Sequence, residues 1–108
     1  MRVLLIESDE QSALALASAM KQQRHIVTVC PIRRLAIEAM SIDGGDFDVV
    51  LLDLSLDRRE DWEILDQLCR RIAGKSLPPE ILCFSRVYRG TRMRLEAQRK
   101  GARFIYVH

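Results

Sequence analysis

The sequence predicts an α/β domain built on a parallel sheet with helices on both faces. Three observations carry this. Short apolar or β-branched runs alternate with stretches of helical spacing along the whole chain, in the order βαβαβαβαβ. The strand-like runs are almost continuously apolar, as strands covered on both sides are. Two of those runs, Val3-Leu4-Leu5-Ile6 and Val49-Val50-Leu51-Leu52, end in carboxylates. In an open parallel sheet, ligands bind beyond the carboxyl ends of the strands.

Each element has its own signal. Residues 2–6 read as a buried strand. Residues 10–22 read as a helix, because Ala13, Leu16, Ala17 and Met20 stand at i, i+3, i+4 and i+7. Residues 26–30, Ile-Val-Thr-Val-Cys, are β-branched and strand-like. Pro31 suits the start of a second helix, whose apolar face is Ile32, Leu35, Ala36, Ala39 and Met40. Gly44-Gly45 stops it, and residues 48–53 form the third strand. Leu65, Leu68, Cys69 and Ile72 predict a third helix that begins near Glu60 and ends at Gly74. Pro78-Pro79 precede a fourth strand, Ile81-Leu82-Cys83-Phe84. Residues 91–100 form a short Arg-rich helix capped by Gly101, and Phe104-Ile105-Tyr106-Val107 is the fifth strand.

Size and composition bound the function. A chain of 108 residues fits one domain, residues 1–108, and its 48% hydrophobic content is enough for one core. A net charge of +2 does not by itself point to nucleic acid. Cys30, Cys69 and Cys83 form no close-spaced metal motif and read as reduced core thiols of an intracellular protein. His25 and His108 lie far apart, with no Cys or His beside either. No apolar run approaches a membrane span, and Met1-Arg2-Val3 leads directly into a strand without a signal-peptide layout. A cytoplasmic location is expected, with no membrane partner.

Asp53 is the most informative residue. A carboxylate at the end of a buried strand is costly to desolvate, so it needs a partner or a task. Glu7-Ser8-Asp9-Glu10 follows the first strand in the same way. If both strands are adjacent, the two acidic ends make a pocket for a cation or a phosphoryl group. The other residues at that rim are Ser55 after strand three, Ser85 and Arg86 after strand four, and His108 after strand five.

This ordered set resembles the receiver domain of bacterial two-component response regulators. Arg2-Val3-Leu4-Leu5-Ile6-Glu7-Ser8-Asp9 is similar to the family's first strand and acidic turn. Asp48-Val49-Val50-Leu51-Leu52-Asp53-Leu54-Ser55-Leu56 is similar to its third strand and phosphoacceptor loop. Leu95-Glu96-Ala97 and Gly101-Ala102 resemble the end of its fourth helix and the turn into strand five. The resemblance implies a flavodoxin-like sheet of five parallel strands in the order 2-1-3-4-5. It also implies phosphoryl transfer from a histidine kinase to Asp53, with Mg²⁺ at Glu7, Asp53 and Ser55 and Ser85 as the switch hydroxyl.

The chain departs from that pattern at several positions. The second acid of the family's pair falls at Ser8, which removes a direct Mg²⁺ ligand. The family's lysine after strand five falls at His108, whose neutral imidazole supplies no fixed charge. Its loop proline and glycine fall at Asp57 and Asp61, its aromatic switch position at Ile105, and the small residue after the switch at Arg86. Arg86 is placed to reach over Asp53 as a built-in counterion. The expected function is therefore a non-enzymatic regulatory module, an atypical receiver that is phosphorylated weakly or not at all. It needs no cofactor, or binds Mg²⁺ weakly. The alternative is an active phosphoacceptor on Asp53.

Plainer readings stand beside these. Asp53 and Glu7 could be inert groups bonded to loop amides, and Ser85 could serve only its own backbone. The run Asp57-Arg58-Arg59-Glu60-Asp61 reads as a solvated loop, and Trp62 as a partly packed residue. Arg86, Arg89, Arg92, Arg94, Arg99, Lys100 and Arg103 make a basic face around helix four and strand five. Few aromatics interleave there, so the face favours a protein partner or a second copy over nucleic acid. DNA contact is expected only through an output domain outside these residues. Aspartate-nucleophile phosphatases carry a second aspartate two residues on, where this chain has Ser55. The turn after strand one has no glycine-rich phosphate cradle. The family's fifth helix has no counterpart in the sequence, which predicts a truncated receiver with an open apolar sheet face that favours dimer formation.

Overall fold

The backbone elements are β1 Arg2–Ile6, α1 Glu10–Gln22, β2 Ile26–Cys30, α2 Arg33–Ile42, β3 Val49–Asp53, α3 Arg59–Ile72, β4 Glu80–Ser85, α4 Thr91–Arg99 and β5 Arg103–Tyr106. The structure is a computed structural model and describes residues 1–31, 33–42, 47–55, 58–87 and 91–106. The strands form one sheet in the order β2-β1-β3-β4-β5, with every neighbouring pair parallel. The flavodoxin-like α/β fold and strand order expected from the sequence are those observed. Parallel neighbours need a crossover, and each helix supplies one. The strand order reverses beside β1, which makes the carboxyl rim of β1 and β3 the switch point.

Strand alternation sorts the side chains into two cores. Leu4, Ile6, Val50, Leu52, Ile81 and Cys83 meet Ala36 of α2, Ile64, Leu65 and Leu68 of α3, and Met93 and Ala97 of α4. On the opposite face Leu5, Leu51 and Phe84 pack with Ala13, Leu16 and Met20 of α1. Ala13 and Ala17 let α1 approach the sheet closely, while Leu16 and Met20 fill the space to either side. One side of the sheet is therefore the larger core.

Local chemistry fixes the helix ends. Asp9 caps α1, its Oδ2 accepting from the Ser12 amide at 3.0 Å. Arg24 follows that helix at φ 67, a left-handed conformation unusual for an arginine. Gly101 closes α4 at φ 102, where its lack of Cβ removes the strain, and Ala102 N–H donates to the Ala97 carbonyl. At the start of α3, the Asp61 carboxylate accepts from the Arg58 amide at 3.2 Å. A guanidinium has no acceptor, so Arg58 returns no side-chain bond and only half of a capping box forms.

Several local expectations shift. α3 starts within one residue of the expected Glu60, so Arg59, Glu60 and Asp61 belong to it rather than to a solvated loop, and Asp61 is buried. Its place one turn into the helix explains this, because it turns back onto the Arg58 amide. Trp62 is partly buried against the larger core, as its sequence reading expects. Leu35 is exposed, and Ala36, Ile37 and Ala39 make the inner face of α2 among the described residues. β2 is an edge strand, so Ile26 and Val29 stay exposed despite their apolar character. β4 is one residue longer at each end than its apolar run, and β5 starts at Arg103. Among the described residues, no helix is long and apolar enough to cross a membrane.

Candidate functional site

The site grows out of strand register. Ile6 pairs with Leu52 and Asp53 with Phe84, so continuing the ladder sets Glu7 beside Asp53 at the carboxyl rim. The loops leaving β1, β3 and β4 share one local device. Glu7 Oε1 accepts from the Asp9 amide at 3.0 Å, and Asp53 Oδ1 accepts from the Ser55 amide at 2.8 Å. Ser85 Oγ accepts from the Val87 amide at 3.0 Å. Each is a side chain bonding the backbone two residues on, which turns the chain sharply out of the strand.

Arg86 ties these loops together. Its Nη1 lies 3.4 Å from Asp53 Oδ2 and 3.5 Å from Glu7 Oε2. Both distances are at the outer edge of hydrogen bonding, so the contact is mainly electrostatic. The Arg86 amide donates to Ser55 Oγ at 3.0 Å, and Ser55 Oγ donates in turn to Asp53 Oδ1 at 2.5 Å. The guanidinium carbon sits 5.5 Å from the Phe84 ring centre, a cation–π distance. Glu7 is only 2% exposed. Burial, and then the adjoining Asp53 carboxyl, push its pKa up to about 7, against the pull of the Asp9 amide and Arg86.

The comparisons with known proteins bear on the fold that carries this site. No family model matches the sequence. A stretch of 70 residues, 65% of this chain, is 33% identical to the transcriptional regulatory protein TcrA of Mycobacterium tuberculosis. That match spans 27% of TcrA, so the chain covers about a quarter of the length of this curated relative. The backbone superposes on the receiver domain of the Francisella response regulator 1452 with a TM-score of 0.79. That match covers 97% of this chain and 82% of the other at 15% identity. This chain has the receiver fold. The BeF3-activated N-terminal receiver domain of Klebsiella pneumoniae RstA matches at a TM-score of 0.75 and 20% identity, over 99% of this chain and 84% of that one.

On the receiver fold the expected rim residues divide into groups. Glu7, Asp53, Ser55 and Arg86 come together. Ser8 is exposed, and Asp9 spends its carboxylate on Ser12, whose hydroxyl bond holds the Asp9 pKa below the usual range. Ser85 is fully buried, and its hydroxyl donates to the Val87 carbonyl at 2.7 Å. That hydroxyl is turned to its own loop rather than to Asp53. His108 and Asp57 lie outside the described residues.

As a Mg²⁺ site this donor set is short. A magnesium ion wants near-octahedral oxygen ligation at about 2.0–2.1 Å, anchored by carboxylates. Glu7 and Asp53 are the carboxylates that converge, and a guanidinium already faces both. Among the described residues no group of three His, Cys, Asp or Glu side chains gathers to hold a metal. The cysteines offer no nucleophile, since burial raises all three thiols, Cys83 to about 12. Two features escape sequence reasoning. The Phe84 ring beneath Arg86 reads only as a core residue in an apolar run, and the Ser55–Arg86 bond links residues from different loops.

Proposed function

We propose that this receiver is a regulatory module of two-component signalling that acts through protein contact and accepts a phosphoryl group poorly or not at all. The observation that carries the reading is the donor set at the rim. Among the described residues, Glu7 and Asp53 converge without a third acid, because Ser8 is exposed and Asp9 caps α1. A phosphoryl transfer that leans on a divalent cation is disfavoured there. The module is regulatory rather than enzymatic, and works in the cytoplasm.

The contact surface is the α4–β5 edge. Arg92 and Arg94 are exposed on α4, with Leu95 at 61% exposure between them in helical space. Arg99, Lys100 and Arg103 lie close by but are held by Glu96, Asp66 and Glu80. A cationic surface around an exposed leucine fits an acidic protein partner, with a second copy as the other candidate. The likeness to TcrA, itself a transcriptional regulatory protein, supports a transcriptional output domain in the native protein, which would make any DNA contact.

The second reading is an active phosphoacceptor, taking the group from a histidine kinase onto Asp53 with Mg²⁺. It is favoured by the place of Asp53 at the carboxyl end of β3, with its side chain 12% exposed. Acetyl phosphate or beryllofluoride with excess Mg²⁺ separates the two. The expected intact mass is unchanged, and ¹⁹F spectra show no protein-bound beryllofluoride. Stoichiometric modification that Asp53→Asn abolishes would replace the first reading with the second.

A further inference from the structure

The cluster at the rim is more than a weakened metal site. One side chain reaches both carboxylates, and its own backbone amide is bonded to the hydroxyl that bonds one of them. The cation is covalently part of the loop after β4. Its guanidinium also lies over Phe84, so displacing it would sacrifice that contact as well.

We propose that Arg86 is the cation of this site: its guanidinium replaces a divalent ion and fixes the loops after β1, β3 and β4 in one arrangement that ignores Mg²⁺. The inference rests on the reading of the domain as an atypical receiver and names what decides which cation the site takes. The geometry supports it in three ways. Glu7 is buried, so its ionised form needs a neutralising partner from within the fold. The Arg86 side chain is 33% exposed against 1% for Glu7 and 12% for Asp53, so it lies over the two carboxylates from the solvent side of the rim. The carboxylates it covers are the ones a metal would need, so guanidinium and ion exclude one another. A protein cation at the end of β4 thus makes the rim self-sufficient. Losing the charge should open the site to an outside ion.

The test uses the 108-residue chain and Arg86→Gln, which keeps a polar side chain over Phe84 and deletes the charge. Arg86→Lys serves as a second variant that keeps the charge. Mn²⁺ binding is titrated by electron paramagnetic resonance, and thermal midpoints are measured in chelator and in excess Mg²⁺. The native chain should bind Mn²⁺ no more tightly than Arg86→Lys, and its midpoint should be the same in both buffers. Arg86→Gln should melt lower in chelator, recover with Mg²⁺, and bind Mn²⁺ at least about tenfold more tightly, the scale expected when a cation facing two carboxylates is removed. Equal Mn²⁺ affinity in the native chain and Arg86→Gln would overturn the inference. So would a native midpoint that rises with Mg²⁺ as far as the variant's. Should Arg86→Gln fail to fold, weak Mn²⁺ binding and a Mg²⁺-blind midpoint in both the native chain and Arg86→Lys would still support it, and tight Mn²⁺ binding by either would sink it. The phosphorylation assay reads a different quantity. Modification of native Asp53 would defeat the phosphorylation-independent function while leaving the ratio of Mn²⁺ affinities to judge Arg86.

Discussion

Glu7 is a buried carboxyl whose raised pKa makes the stability of the fold depend on pH. It sits 2% exposed against Asp53, with its pKa lifted from the ordinary 4.5 to about 7. A carboxyl raised in the fold holds its proton more tightly there than in the unfolded chain. Its contribution to stability is complete below pH 4.5 and is lost as pH climbs through about 7. The swing is on the order of 3 kcal/mol at 1.36 kcal/mol per unit of pKa. Glu7→Gln should therefore flatten the fall in thermal midpoint between pH 4.5 and 7, and should melt above the native chain at higher pH. A native midpoint that does not fall over that window would refute the assignment. The acids themselves are legible in the sequence, because Ile6-Glu7 and Leu52-Asp53 break apolar runs. The direction of the Ser85 hydroxyl is not. Its choice between Asp53 and Val87 depends on a turn that only the folded backbone defines.

At the scale of elements, strand and helix boundaries follow periodicity closely because the two periods differ and the punctuation is strong. Gly101 ends α4 where the spacing of Met93 and Ala97 runs out, and its φ of 102 suits glycine. α1 ends by the same left-handed route without glycine. Gln23 N–H donates to the Met20 carbonyl, Arg24 N–H to Lys21, and Arg24 itself adopts φ 67. An L-residue in that region costs about 1 kcal/mol relative to glycine. Arg24→Gly should accordingly raise stability by up to about 1 kcal/mol in urea unfolding, with an unchanged slope. A loss of stability would mean that the arginine side chain gives back more than the backbone strain costs. α3 shows the opposite limit of legibility. Its apolar spacing places the start near Glu60, but the first turn carries Glu60 and Asp61 amid a mixed charge run, so the burial of Asp61 is not legible from the pattern. The Asp61 bond to Arg58 accompanies that burial, and such a bond leaves no trace in hydrophobic spacing.

Among the described residues the sheet is covered unevenly. α2, α3 and α4 close one face of the sheet, while among the described elements α1 alone packs on the other, alongside β2 and against Leu5, Leu51 and Phe84. Toward the far edge Leu51 and Leu82 stay half-buried, and Ile105 is 43% exposed. Apolar surface of this kind is an association site in water. The sequence signals this only indirectly, since Ile105 sits in an apolar run like any buried strand and its exposure depends on what packs above it. Two surfaces are therefore candidates for contact, and their physics differs. Contacts through Arg92 and Arg94 on α4 are screened by salt and vanish as ionic strength rises. Contacts through Ile105 and the half-open sheet are apolar and are kept or strengthened by excluded salts such as sulfate. An isologous α4–α4 contact would also set like charges against each other, which leaves the open sheet face as the better self-association surface. Sedimentation equilibrium of the 108-residue chain should show self-association that persists in high sulfate. Ile105→Lys should weaken it at least about tenfold, the effect expected for placing a charge in an apolar contact, without lowering the thermal midpoint. Association that disappears in salt and is indifferent to Ile105→Lys would move the contact to the arginines of α4.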